Sequence, residues 1–340
     1  MKHKAQLILL AAVSIALVGI TSLYHIFDAR PIQLDRQVVA IQIDKGASLN
    51  QIADQLYIAG VIRSPVGFKI AAHLLNRTRS FYPGNYSIET GLSNSEAIQA
   101  LAHAKPAEQT ITITEGLRSD EIIGLLSRSL DLDSLKMSML LTDSSLLALA
   151  GPGFNHLEGA LFPETYRFLE SSDEYTVLHK LVSHFRNKIT TDMLVRADTF
   201  GFDLYDLITF ASLVEKETAR EDERRLVSSV YHNRIRIDML LNCDPTIIYM
   251  LVRRGEWDGN IRKRHFSIDD PYNSYMYKGL PPSPIANPGL ASIEAALDPE
   301  ESDYLYFVGK NDGTGAHAFS KTLRSHINKV NRYQRRGNRP

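Results

Sequence analysis

Two glutamates close an otherwise apolar stretch, and their spacing is the first chemical signal in the chain. Residues 207–219 read LITFASLVEKETA, with Leu207, Ile208, Phe210, Ala211, Leu213 and Val214 crowded ahead of Glu215, Lys216 and Glu217. Apolar side chains almost all the way round a helix imply burial on most sides. At 3.6 residues per turn Glu215 shares a stripe with Ile208, Ala211 and Ser212, while Glu217 sits roughly 200° further round. A carboxyl in partly apolar surroundings has a raised pKa, because desolvation disfavours the charged form. Such a group stays protonated near neutrality and can serve as a general acid. The plainer reading is a helix end whose two acids face solvent.

Other polar groups flank this stretch. Glu158 and Glu164 lie in EGALFPETYRF ahead of it, and Asn233, Asp244, Asn273, Tyr275 and Ser283 follow it. Side-chain amides and aromatic rings suit a polysaccharide, whose rings stack and whose hydroxyls need planar hydrogen-bond partners. A carboxylic acid among them could protonate a glycosidic oxygen. An ordinary glycosidase needs a second carboxylate about 5 to 9.5 Å away. Asp244, Glu158 and Glu164 are the candidates, and spacing does not choose among them.

Composition removes several other chemistries. The net charge of the 340-residue chain is −1, which gives no electrostatic case for nucleic acid. The single cysteine, Cys243, excludes an internal disulfide and a multi-cysteine metal site. His179 and His184 miss the i, i+4 spacing of a helical zinc site, so no metal is expected. No cofactor is expected either. The basic residues Arg332, Arg335, Arg336 and Arg339 read as a solvated terminus.

The elements that must carry these groups begin with an apolar run at residues 5–27, long enough for the about 20 residues a bilayer requires. Lys2 and Lys4 precede it, which favours a cytoplasmic N-terminus and an exported bulk. No A-x-A site follows promptly, so a retained single-pass anchor is expected over a cleaved signal peptide. After a linker at 31–37, a strand, a helix, a second helix opening at Pro65 and a second strand make a small module. Ile41, Ile43, Gly46, Ile52 and Leu56 recur as Ile111, Ile113, Gly116, Ile122 and Leu126, a weak internal repeat that predicts a return of residues 108–128 to the same small sheet. Residues 130–154 read as helical before a Gly-Pro-Gly loop. Asp244-Pro245 reads as a helix start with Asp244 as the cap. The long loop at 260–287 is too rich in aromatic, amide and proline residues for disorder. A hairpin around Asn311-Asp312-Gly313 and a final helix complete an α+β chain with a larger, mainly helical second part.

The strings LVEKETA, VYHNRIRI, DPTIIY, PYNSY, KGLPPSPIANPG, ALDP and YLYFVG occur in this order. Together they closely resemble the membrane-bound endolytic murein transglycosylases of bacteria, the YceG-like family, over essentially the whole chain. The resemblance implies an anchor at 1–30, a LysM-like module at 38–107 and a catalytic domain at 108–340. It puts the catalytic role on the first acid of the E-K-E-T motif, Glu215. Asn233, Asp244, Asn273 and Tyr275 are then expected to line the cleft, with Glu217, Ser283, Glu158 and Glu164 as further substrate-binding residues. Asn242-Cys243 departs from the polar pair, such as Gln-Thr, that relatives tend to carry, and leaves Cys243 with no expected role.

The chemistry implied is a cleavage without water. One carboxyl protonates the oxygen between N-acetylmuramic acid and N-acetylglucosamine, then takes the proton of the muramic acid 6-hydroxyl as that hydroxyl closes a 1,6-anhydro ring. Because the steps are sequential, one residue suffices. The implied partners are peptidoglycan strands and the peptidoglycan synthases (penicillin-binding proteins), with the chain held in the inner membrane. The competing expectations are a hydrolase of the same polymer, and a non-catalytic wall-binding scaffold for synthases.

Overall fold

Helix α1, Lys2–Phe27, is unburied along Leu10–Phe27 and has a mean hydropathy of 1.9 there. It is long and apolar enough to cross a membrane. The structure, a computed structural model, describes residues 2–31, 36–44, 46–78, 80–103, 108–169 and 171–335. Most of the expected linker at 31–37, and Arg336 and Arg339 of the basic terminus, lie outside the described residues. The chain forms two compact units, residues 1–110 with 167–172, and residues 111–166 with 173–340.

In the first unit β1 (Val38–Ile43) pairs antiparallel with β2 (Gly84–Glu89), setting Ile41 opposite Tyr86 and Val39 opposite Ile88. Helices α2 (Leu49–Ile58) and α3 (Pro65–Leu74) lie between the strands in sequence, and α4 (Asn94–His103) follows. This is the strand, helix, helix, strand order that the sequence pattern predicts. Ser48 and Gln51 form a capping box on α2, and Ser64 caps α3 ahead of Pro65. Strand alternation turns Ile41, Ile43, Tyr86 and Ile88 inward against Leu56, Phe68, Ile98 and Leu101.

Strand β3 (Glu108–Thr112) pairs with β4 (Thr165–Leu169) in a second two-stranded sheet. The expected return of residues 108–128 to the first sheet therefore does not occur. The physical reason is local: the Thr112 and Thr165 hydroxyls meet at 2.9 Å, and Ile113 N donates to the Glu164 carbonyl at 3.0 Å, which occupies that edge. The repeat is real in backbone terms, since Gly116 (φ 76°) turns into α5 (Ser119–Leu130) as Gly46 (φ 80°) turns into α2.

The expected single helical stretch at 130–154 is two short helices, α6 (Ser134–Leu140) and α7 (Ser144–Ala150), because Asp133 and Asp143 each cap a new start. Then come α8 (Glu174–Lys188), α9 (Thr191–Asp198), α10 (Leu204–Glu217), α11 (Glu221–Arg236), α12 (Asp244–Arg253), α13 (Leu290–Leu297) and α14 (Leu323–Val330). A 3₁₀ turn, Lys263–Ser267, opens the long loop. The architecture is α+β, mainly helical with few short strands.

Helix α10 is the centre of the second unit. Asp203 and Asp206 form its capping box, Leu207 through Val214 are buried, and α9, α11, α12 and α13 pack around it. Thr218 ends it in an extended conformation (φ −146°, ψ 130°). The expected hairpin is reduced to two bridges, Tyr306 with Ser320 and Gly309 with His317. Cys243, not Asp244, occupies the cap of α12, which leaves the Asp244 side chain free for another partner.

Candidate active site

The last residue of α10 and the middle of α11 meet through one hydrogen bond. Tyr231 Oη, fully buried, donates to Glu217 Oε1 at 2.6 Å. The buried Cys243 thiol lies against both groups and also hydrogen-bonds the Glu217 carboxyl. Burial raises the pKa of Glu217 above the usual carboxylate range; the hydrogen bonds from Tyr231 and Cys243 pull it back, and the charge of Asp244 pushes it further up. Burial likewise pushes the Tyr231 hydroxyl and the Cys243 thiol well up, so both stay protonated as donors.

Glu217 opens onto a cavity of about 530 Å³. Asn242 and Asp244 come to it from the start of α12, Tyr275 from the long loop, Arg234 from α11, and Tyr306, Phe307 and His317 from the two-bridge segment. Tyr275 Oη donates to Asp244 Oδ1 at 2.5 Å. Arg234 is buried, donates from Nε to the Leu305 carbonyl at 2.7 Å and from Nη1 to the Leu241 carbonyl at 2.5 Å, and stacks over Tyr306. His317 Nδ1 and Glu223 Oε2 pair at 2.7 Å behind the wall. The cavity thus presents one carboxyl of raised pKa, a second carboxyl tied to a phenol, a guanidinium and aromatic faces. A sugar polymer can use each: an acid for a glycosidic oxygen, acceptors and donors for hydroxyls, and rings for stacking. Among the described residues no cluster of His, Cys, Asp and Glu could hold a metal ion.

The expected site residues divide. Glu217, Asp244 and Tyr275 come together in the cavity. Glu215 does not line it: its Oε2 accepts from Gly289 N at 3.0 Å, and Glu115 lies beside it. A Cβ on Gly289 would fall 1.8 Å from Glu115 Oε1, so the Glu115 side chain lies directly over this glycine and would have to swing aside. That hydrogen bond sets the Glu215 carboxyl at the start of α13, and Glu215 remains a candidate acid beside Glu217. Asn233 is buried and donates to the Ser302 and Tyr304 carbonyls at 2.8 and 3.1 Å, lining a separate cavity of about 500 Å³ with Phe200, Phe202 and His232.

Asn273 is fully buried and donates to the Ile268 carbonyl at 2.8 Å while its Oδ1 accepts from Tyr275 N at 3.1 Å, so it shapes the loop that presents Tyr275. Ser283 hydrogen-bonds Tyr272 Oη at 2.6 Å inside the core. Glu158 is buried too, accepting from Ser119 N and Oγ, Asn287 Nδ2 and Tyr249 Oη. Burial raises its pKa to about 7. Glu164 lies 3.8 Å from both His184 and Lys188, half-exposed.

Sequence reasoning missed Arg234, Tyr231, His317 and Cys243. Tyr231 and Arg234 stood in the VYHNRIRI string at i and i+3, on one helix face, which was an available signal. His317 and Cys243 had none, because only the fold brings them to Glu217.

A profile of the YceG-like family matches residues 41–332. The endolytic murein transglycosylase of Bacillus subtilis (strain 168) is 29% identical over 333 residues, covering 93% of this chain and 91% of that protein. The protein of the same name from Streptococcus pneumoniae serotype 2 (strain D39) is 28% identical over 305 residues, and the chain spans about half of it, 54%, while 80% of this chain is matched. A crystal structure of a yceG-like protein from Listeria monocytogenes superposes with a TM-score of 0.58 at 28% identity, covering 86% of this chain and 99% of that one.

Proposed function

This chain belongs to the YceG-like family, and on that premise we propose that it is an endolytic peptidoglycan lytic transglycosylase whose general acid and base is Glu217. The likeness to the endolytic murein transglycosylases carries the activity, and the position of the Glu217 carboxyl supports the choice of residue: it stands at the wall of the 530 Å³ cavity, held by Tyr231 at 2.6 Å, where burial raises its pKa. Protonated Glu217 gives its proton to the oxygen between N-acetylmuramic acid and N-acetylglucosamine, and the bond from the anomeric carbon to that oxygen breaks. The muramic acid 6-hydroxyl bonds to the anomeric carbon, and its proton returns to the Glu217 carboxylate. The acid is regenerated and no water is consumed. Arg234 and the Asp244–Tyr275 pair orient the strand.

Asp244 in the same cavity also favours a second reading, a hydrolase in which a second carboxylate directs water. One experiment separates the two. Full-length protein in detergent is incubated with purified peptidoglycan, and the product ends are weighed by mass spectrometry. Ends of 1,6-anhydro-muramic acid support the lyase, and reducing ends support the hydrolase.

The rest of the chain extends this reading. Lys2 and Lys4 at the start of α1, ahead of its apolar run, support a retained single-pass anchor in the inner membrane, with the chain after α1 outside the cytoplasm. The β1–α2–α3–β2 order supports a LysM-like module that binds glycan weakly. A groove of about 330 Å³ beside Asp44, Gln51, Asp54 and Gln55 offers carboxylates and amides for sugar hydroxyls. Peptidoglycan synthases, as the source of nascent strands, are its expected partners.

A further inference from the structure

Helix α3 is apolar on two sides. Its inner side, Gly67, Phe68, Ala71 and Ala72, is buried in the core of the first unit. Its outer side carries Val66, Ile70 and Leu74 at 60%, 40% and 63% exposure, a stripe at i, i+4 and i+8. Single exposed apolar residues need no explanation, but a continuous stripe on one helix face does. No acidic residue occurs in Pro65–Leu74; Lys69 and His73 lie on or beside the stripe, and Arg63 and Arg77 bracket it.

The place of this stripe is fixed by α1. Asn94 Nδ2 donates to the Ile26 carbonyl at 2.7 Å, and Ser95 Oγ donates to the Phe27 carbonyl at 3.1 Å, so the start of α4 holds the last turn of α1. The first turn of α3 closes on the same point: a Cβ on Gly67 would lie 3.5 Å from the His25 carbonyl and 2.7 Å from Asn94 Nδ2. The outward stripe of α3 therefore begins at Val66, next to the glycine that meets the last turn of an apolar helix long enough to cross a bilayer. That is the depth of lipid headgroups, where cationic side chains meet anionic lipid and apolar ones reach the acyl boundary.

We propose that the outer face of α3, Val66, Ile70 and Leu74 with Lys69, His73 and Arg77 around them, lies on the anionic surface of the bilayer that α1 enters. The helix is a second, peripheral contact that stops the first unit from swivelling about α1. This rests on the reading of α1 as a membrane span, and the experiment keeps the two apart.

Full-length Leu74→Cys protein is labelled with an environment-sensitive fluorophore. Cys243 is fully buried, so the new thiol takes the label. The protein is reconstituted in phosphatidylglycerol–phosphatidylethanolamine vesicles with and without a lipid-borne quencher, beside Leu17→Cys labelled in α1. Blue-shifted emission at position 74 that the lipid quencher extinguishes is expected. Adding Ile70→Asp to a His73→Cys label should restore the emission of a water-exposed probe. Unquenched emission at position 74 overturns the proposal. So does disulfide capture of Leu74→Cys between two copies, which would give the face to a second chain. A quenched label at 17 beside an unquenched label at 74 removes the seat and keeps the span; loss of quenching at both removes the span as well.

Discussion

Tyr231 Oη donates a 2.6 Å hydrogen bond to Glu217 Oε1, and this bond works against the burial that raises the pKa of the same carboxyl. A hydroxyl donating to a carboxylate favours the charged form. Tyr231→Phe removes that preference and leaves the burial, so the pKa of Glu217 rises further. Cleavage needs the protonated acid, so the alkaline limb of kcat/KM against pH should move to higher pH in Tyr231→Phe. A limb that stays put, or moves down, would mean that another group titrates.

Glu217→Gln should lower the rate of cleavage by ~10² to 10⁴, the usual cost of losing a general acid–base. Glu215→Gln should keep most of the rate, because an amide oxygen still accepts from Gly289 N. Release of soluble fragments from sacculi measures both. The opposite order of effects would return the role to Glu215.

Glu158 makes folding depend on pH. Its pKa is 4.5 when unfolded and about 7 in the folded chain. Between these values the folded state holds the extra proton, so the stability it contributes is complete below 4.5 and is lost as pH rises through 7. The loss is on the order of 3 kcal/mol. Glu158→Gln cannot titrate, so its urea midpoint should fall less between pH 5 and pH 8 than that of the parent. Parallel slopes in the two proteins would remove Glu158 as the cause.

Gly159 has φ 87°, and a Cβ there would lie 2.7 Å from Ile208 Cγ2 and from Cβ and Cγ of Pro284. Gly159→Ala should cost roughly 2–5 kcal/mol, combining backbone strain with overpacking. Gly46→Ala shares the backbone strain (φ 80°) in open space and should cost only about 1–2 kcal/mol. Denaturant unfolding of the two variants compares them directly; equal losses would show that the packing against α10 is not the larger effect.

What the sequence made legible depends on how local each feature is. The apolar α1, the capped α10 and the positive-φ turns at Gly46 and Gly116 follow from residues within a turn of one another. The division of Asp133 and Asp143 into two caps was equally local and was overlooked. Helical periodicity put Glu215 and Glu217 on different faces, and they are. It could not say which face meets a cavity, because Asn242, Tyr275, Tyr306 and His317 arrive from three later segments. Asn273 looked like a cleft residue for a related reason: a buried amide that organises a loop and an amide that binds sugar have the same residue type. Cys243 had no apparent role until the fold set its thiol against Glu217.

The extended backbone at Thr218 makes Glu217 the final residue of a 14-residue helix. Aligned peptide dipoles leave about half a negative charge at such an end, and a carboxylate placed there is disfavoured by about 0.3–1 kcal/mol. That field acts in the same sense as burial, and it fades within a turn. If α10 ran one turn further, the negative pole would move past Glu217 and the acid would grip its proton less firmly. The point at which the helix stops is thus itself a setting of the acid's strength.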